Sequence, residues 1–228
     1  MKKIILTLFL GLFMFTTKAS AEIGINVGIS GQLGLYAATA TEFDEGTNGT
    51  TSGPDETNKD SEFLALGYGS VFIEKTLGQY LLVGIDYVPS ALETETTESS
   101  RNDKTTGAVE TFTTVNNNVQ VDFEDLTTYY VALNLGNSGA YAKAGIVKVD
   151  VVTNENLGTG STYGNTDLDG SLFGLGYHKA FDNGFFLRGE GTYTEFDGAS
   201  LTSSTTVNKI TLNSLDGVTG KISIGKSF

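Results

Sequence analysis

Six ionisable residues are placed so that they could meet inside one small structure: Glu74, Asp86, Lys143, Arg188, Glu190 and Lys221. Arg188 and Glu190 stand two apart, so in an extended chain they share a face. The other four come from separate segments whose alternation turns them the same way. Charges enclosed together must pair to be tolerated. The set therefore reads either as a structural plug or as an electrostatic gate whose pairs exchange to admit ions. His178 is the only histidine, which excludes clusters of histidine ligands. As a base it would need a neighbouring nucleophile. The nearest candidates are Ser171 on its own segment and Ser223 near the end, and no pairing geometry can be argued for either, so no catalytic residue is expected. With no cysteine, thiolate chemistry and disulfides are absent. Acidic residues gather in two stretches: Glu42, Asp44, Glu45, Asp55, Glu56 and Asp60 against Lys59, then Glu93, Glu95, Glu98, Asp103 and Glu110 against Arg101 and Lys104. They could bridge to anionic lipid through divalent cations, keep the surface solvated, or contact a ligand or receptor. The Asp-x-Asp-x-Asp-Gly spacing of a dedicated calcium loop is missing, and neither a metal nor a cofactor is expected.

These residues must be positioned by strands. Ile23, Ile25, Val27 and Ile29 alternate with Gly24, Asn26, Gly28 and Ser30, and the pattern runs on to Tyr36, a period of two that no amphipathic helix shows. Seven more alternating segments lie near 62–76, 79–92, 123–135, 140–154, 168–181, 185–197 and 208–228. Connections alternate between long and short. The long ones, near 39–61, 93–122, 155–167 and 198–207, are rich in Thr, Asn, Ser, Gly and acids. The short ones are Leu77-Gly78, Gly136-Asn137-Ser138-Gly139 and Asp182-Asn183-Gly184. Long loops at one end and tight turns at the other suit a transmembrane barrel, with both termini on the tight-turn side.

The faces support that reading over a soluble barrel. Phe185, Leu187 and Tyr193 share one side of a segment and Arg188, Glu190, Thr192 and Thr194 the other. Leu81, Val83, Ile85 and Tyr87 oppose Gly84 and Asp86, while Tyr129, Val131, Leu133 and Leu135 oppose Thr128 and Asn134. A soluble barrel this narrow would fill itself with apolar side chains. Lys148 and Asp150 break the pattern by sharing a register with Ala142 and Ala144. Either a bulge near Gly145 or a position above the membrane would account for them. The expected fold is all-β, an eight-stranded antiparallel up-and-down transmembrane β-barrel.

Residues 1–21 read as a signal peptide. Lys2 and Lys3 precede the apolar run Ile4–Phe15, and Ala19-Ser20-Ala21 is a small-x-small cleavage site, so the exported chain would begin at Glu22 and residues 22–228 form the barrel domain. The apolar run falls short of the roughly 20 residues that a spanning helix needs. Cleavage removes Lys2, Lys3 and Lys18 and leaves 11 basic against 27 acidic residues, a net of −16. Nucleic acid is thereby a poor partner.

Gly174-Leu175-Gly176-Tyr177, Phe186-Leu187-Arg188-Gly189-Glu190-Gly191-Thr192-Tyr193, Ala142-Lys143-Ala144-Gly145 and the terminal Ile222-Ser223-Ile224-Gly225…Phe228 resemble the small outer-membrane β-barrel family of opacity-type surface antigens and the OmpA barrel. The resemblance implies a bacterial outer-membrane, porin-family protein. Ile222, Ile224 and Phe228 would then form the C-terminal insertion signal read by the barrel-assembly machinery. Lys226 departs from that signal, which usually carries an apolar or aromatic residue there. No peptidoglycan-binding domain follows, so cell-wall tethering is not implied. The expected role is non-enzymatic, a surface-exposed structural or interaction protein in contact with outer-membrane lipid and lipopolysaccharide, and a monomer. The alternative is a small porin-like channel with a narrow charged lumen, and a lipid-modifying enzyme is a third reading.

Overall fold

The computed structural model describes residues 24–44, 47–48, 51–52, 56–104, 112–158, 162–204 and 208–228. The expected signal peptide lies outside them. Eight strands form the wall: β1 Ile25–Asp44, β2 Glu56–Leu77, β3 Leu81–Tyr87, β4 Phe112–Asn134, β5 Ala140–Leu157, β6 Thr166–Ala180, β7 Phe185–Phe196 and β8 Lys209–Ser227. Each pairs antiparallel with the next, and β1 closes on β8 from Asn26↔Ser227 to Phe43↔Lys209. The register fixes the size. A circuit along paired residues leaves Gly28, passes Phe72, Asp86, Thr128, Val147, Gly170, Phe196 and Leu215, and returns at Ala38, ten residues farther along β1. Eight strands with a shear of ten tilt by about 40° and enclose a backbone radius of about 8 Å.

Tight turns join the lower ends. Gly78 (φ 70°) and Gly184 (φ 81°) supply the left-handed backbone that their hairpins need. At the upper ends the strands outrun the sequence expectation. Much of 39–61 and 93–122 is strand rather than loop: β1 continues to Asp44, β2 starts at Glu56, and Leu92–Glu93 and Thr97–Lys104 pair with β4. The many threonines of both stretches, and the valines of the second, permit this. Above the lipid a wall no longer needs apolar outward residues, so the alternation fades while the hydrogen-bond ladder persists. The short strands Thr47–Asn48 and Thr51–Ser52 pair with each other, and Ala199–Thr202 pairs with β8. Among the described residues, β2 pairs with nothing on its β3 side beyond Val71↔Tyr87, which leaves its upper edge open.

The wall changes polarity along its height. In the lower half Leu133, Leu187, Ile222 and Leu175 point outward, with Ile222 68% and Leu175 67% exposed. The charges Glu74, Lys143, Arg188 and Glu190 point inward and are buried. In the upper half the order reverses. Val147, Val149, Val151, Leu168, Leu172, Phe196 and Leu215 pack inside as an apolar cluster. Lys148, Asp150, Asp167 and Asp169 face out. An interior polar throughout, as the sequence suggested, is thus corrected: only its lower half is. Lys148 needs no bulge at Gly145, because the β5 register is continuous there and Lys148 sits above the apolar band, paired with Asp169 at 2.7 Å. The nearby register shift falls on β4, between Glu124 and Thr127.

This boundary predicts an asymmetric response to charge. Ile222→Arg, in the outward apolar band, should cost about 2–4 kcal/mol, whereas Asp167→Arg above it should cost less than about 1 kcal/mol. Urea unfolding of the barrel in phospholipid vesicles measures both.

Candidate functional site

The lower lumen is filled by one ion-pair network. From β7, Arg188 reaches across to Glu74 on β2 and donates from both terminal nitrogens, at 2.5 Å to Oε1 and 2.9 Å to Oε2. Tyr130 Oη adds 2.6 Å to Oε1 and Asn26 Nδ2 adds 3.1 Å to Oε2, so both oxygens of this carboxylate are satisfied. Two residues along β7, Glu190 accepts from Lys143 Nζ at 3.0 Å, Lys221 Nζ at 3.3 Å and Tyr141 Oη at 2.7 Å. Lys221 Nζ also donates to Asp86 at 2.9 Å. The structure brings together all six lumen residues named from the sequence, three cations against three anions. Within the narrow ring such charges survive only as hydrogen-bonded pairs.

Aromatic rings wall the network in. Lys143 Nζ lies 3.9 Å from the centre of the Tyr130 ring, and the Arg188 guanidinium lies 5.0 to 5.5 Å from the rings of Phe186, Tyr141 and Phe72. Glycines on the next strand make room. A Cβ on Gly176 would come within 2.3 Å of the Tyr141 ring, and one on Gly84 within 2.6 Å of Tyr130. The two tyrosines that hold Glu74 and Glu190, together with Asn26, are the site residues that sequence reasoning missed. Their even spacing from lumen-facing neighbours was the available signal, since Tyr141 is two residues from Lys143 and Tyr130 two from Thr128.

Above the network the lumen narrows to a cavity of about 30 Å³ lined by Gln32, Tyr36, Tyr68, Thr219, Asp86 and Lys221 among others. Hydrogen bonds close it further, Tyr36 to Tyr68 at 2.9 Å and Gln32 to Ser70 at 2.8 Å, while Ser30 bonds to Ser223 at 2.9 Å one step lower, level with Arg188. A space of that size admits a water or two. Higher still comes the apolar cluster.

His178 faces the lumen below the network, its ring 4.7 Å from Phe186 and Nδ1 3.4 Å from an Arg188 nitrogen. Ser171, odd-numbered on the same strand, is on the opposite face, and Ser223 is bonded to Ser30, so neither candidate nucleophile is poised beside it. Among the described residues no three His, Cys, Asp or Glu side chains are grouped to hold a metal. Of the acids expected in loops, Glu45, Asp55 and Glu110 lie outside the described residues, and Glu42 and Asp60 belong to β1 and β2. Ile222 and Ile224 point outward, and Phe228 bonds to Ile25 through both backbone groups, at 2.8 and 3.3 Å. Lys226 also points outward, its Nζ 5.2 Å from the Phe228 ring and 5.4 Å from the Phe185 ring.

A closed ring with charges sealed inside and Leu, Ile and Phe presented outside is stable only where the surroundings are hydrocarbon. The chain is a transmembrane β-barrel of the outer-membrane type. No family model matches it, and no curated protein matches it. Among solved structures it is similar to the outer membrane protein OprG from Pseudomonas aeruginosa, at TM-score 0.44 and 12% identity over 91% of this chain and 97% of that one. It is also similar to outer membrane protein AlkL in DMPC lipid bilayers, at 0.42 and 12% over 93% and 94%. A third is the outer membrane protease OmpT from Escherichia coli, at 0.43 and 9% over 93% and 100%. Likenesses this remote carry nothing about chemistry.

Breaking the network should be costlier than deleting it. Arg188→Met alone leaves Glu74 buried without its cation and should cost about 3–5 kcal/mol, while adding Glu74→Met should return most of that. Urea midpoints of the single and double variants, folded in vesicles, give the comparison.

Proposed function

We propose that this chain is a non-enzymatic β-barrel of the bacterial outer membrane whose lumen is sealed, and that its role is exercised at the outward-facing rim as a structural or interaction protein. The observation that carries this reading is the balanced set of six charges filling the lower lumen, each with a partner of opposite sign within 3.3 Å. A conducting path would need the pairs to part in a space that offers the freed charges almost no water. The resident partners are outer-membrane lipid and lipopolysaccharide, and insertion depends on the barrel-assembly machinery acting on the strand that ends Ile222, Ile224 and Phe228. The closer likeness to opacity-type antigens and the OmpA barrel is part of this proposal, supported by the Phe186–Tyr193 strand that carries Arg188 and Glu190. His178, pressed between Phe186 and Arg188, supports a structural rather than a catalytic part.

Planar-bilayer recording of purified protein tests the seal. The native protein should pass no steady single-channel current. Glu74→Ala with Arg188→Ala, which empties the middle of the lumen, should introduce one. Steady conductance from the native protein would transfer the chain to the channel reading.

A further inference from the structure

Above the seal the barrel widens into a half-enclosed cup of about 1190 Å³. Its lower walls are apolar, with Leu64, Leu66, Val121, Val151, Leu168 and Leu215 among the lining residues. Toward the mouth the walls turn acidic. Glu42, Asp60, Glu62, Glu95 and Glu155 all line the cup, and no lysine, arginine or histidine does among the described residues. The order repeats strand by strand. On β1 the inward residues run Ala38, Ala40, Glu42. On β2 they run Leu66, Leu64, Glu62, Asp60, and on β5 Val149, Val151, Thr153, Glu155. Each two-residue step climbs about 6.6 Å along the strand, so the carboxylates stand one or two steps above the apolar wall. The floor is closed by the cluster around Leu168, Leu172, Phe196 and Leu215.

We propose that this cup binds cationic amphiphiles, with an alkyl or aromatic body against the apolar wall and an ammonium or similar cation among the carboxylates at the mouth. Complementarity selects the sign. Five carboxylates, with no basic residue among the described lining residues, repel fatty acids and other anionic amphiphiles and attract a cation. Below them Leu64, Leu66 and Val121, partly exposed above the packed cluster, offer an alkyl or aromatic body an apolar surface. The site rests on the sealed-lumen reading for its floor alone, and because occupancy and current are separate measurements the two can fail independently.

The test uses the full barrel in phosphatidylcholine nanodiscs, with equilibrium dialysis of decyltrimethylammonium, decanoate and decanol against empty discs. Saturable binding of the cation above the empty-disc level is expected, with decanoate weaker by about tenfold or more. Asp60→Asn, Glu62→Gln and Glu95→Gln together should weaken the cation about tenfold and leave decanol unchanged. Ala40→Phe, which pushes a ring into the cup from the apolar part of β1, should weaken both, and heat-shifted migration on a gel confirms that each variant is folded. The proposal is overturned if the cation does not saturate above empty discs, if decanoate binds as tightly, or if the triple variant keeps native affinity.

Discussion

The closing of β1 on β8 is the constraint from which the rest follows. Once Asn26 pairs with Ser227 and the shear is ten, every lower strand edge has a partner and the lumen has a fixed, narrow bore. Inside that bore there is no bulk water to solvate a charge, so Arg188, Lys143 and Lys221 are tolerable only because Glu74, Glu190 and Asp86 arrive on other strands at the same height. The register that closes the backbone and the register that pairs the charges are the same register. A slip of one residue in any strand would turn its charged members into lipid and its leucines into the lumen. The network therefore specifies alignment even where its net contribution to stability is small.

The same wall obeys opposite rules at its two ends. Within hydrocarbon, outward residues must be apolar and the narrow interior can be polar provided it is paired. Above it, water lies outside, and the interior becomes the drier place. On β5 the change occurs within a few residues: Lys143 inside with Ala144 and Ile146 outside, then Val147, Val149 and Val151 inside with Lys148 and Asp150 outside. One alternating pattern serves both halves because the strand does not change its pleat, only its surroundings.

That inversion marks what was legible in the sequence. Strand number, closure and the three tight turns follow from alternation and turn residues, and so does the inward parity of Glu74, Asp86, Lys143, Arg188, Glu190 and Lys221. The upper wall was not legible, because a strand exposed to water on one side and a wide mouth on the other has no strong apolar period. Residues 97–104 and 112–122 look like loop by composition and become strand only through pairing. The apolar cup was hidden for a related reason. Val147, Leu168 and Leu215 share parity with polar lumen residues, so a rule that assigns every apolar face to lipid misplaces them. Tyr130 and Tyr141 were not legible as lumen residues, because aromatics in such a wall suit its interfaces, whereas here glycines at Gly84 and Gly176 seat them inside.

Outward charge gives the barrel its direction. Among the described residues, the ionisable strand residues that face out at the lower ends are Lys75, Lys179 and Lys226, with Asp182 in the turn below them the acidic exception. Just above the apolar band they are Asp150, Asp167, Asp169, Glu195 and Asp216, with Lys148 the basic exception. Lysines beside a membrane can lay their methylenes along hydrocarbon and extend the ammonium to lipid phosphates, which carboxylates cannot do. The acidic rim is comfortable only in water or beside cations. Lys226 belongs to this lower belt: it lies near the rings of Phe185 and Phe228, where an aromatic side chain would have packed and a cation can also reach a phosphate. The belt and the acidic rim thus orient the protein the same way as the tight turns do, with the cup and its carboxylates on the far side from Gly24 and Phe228.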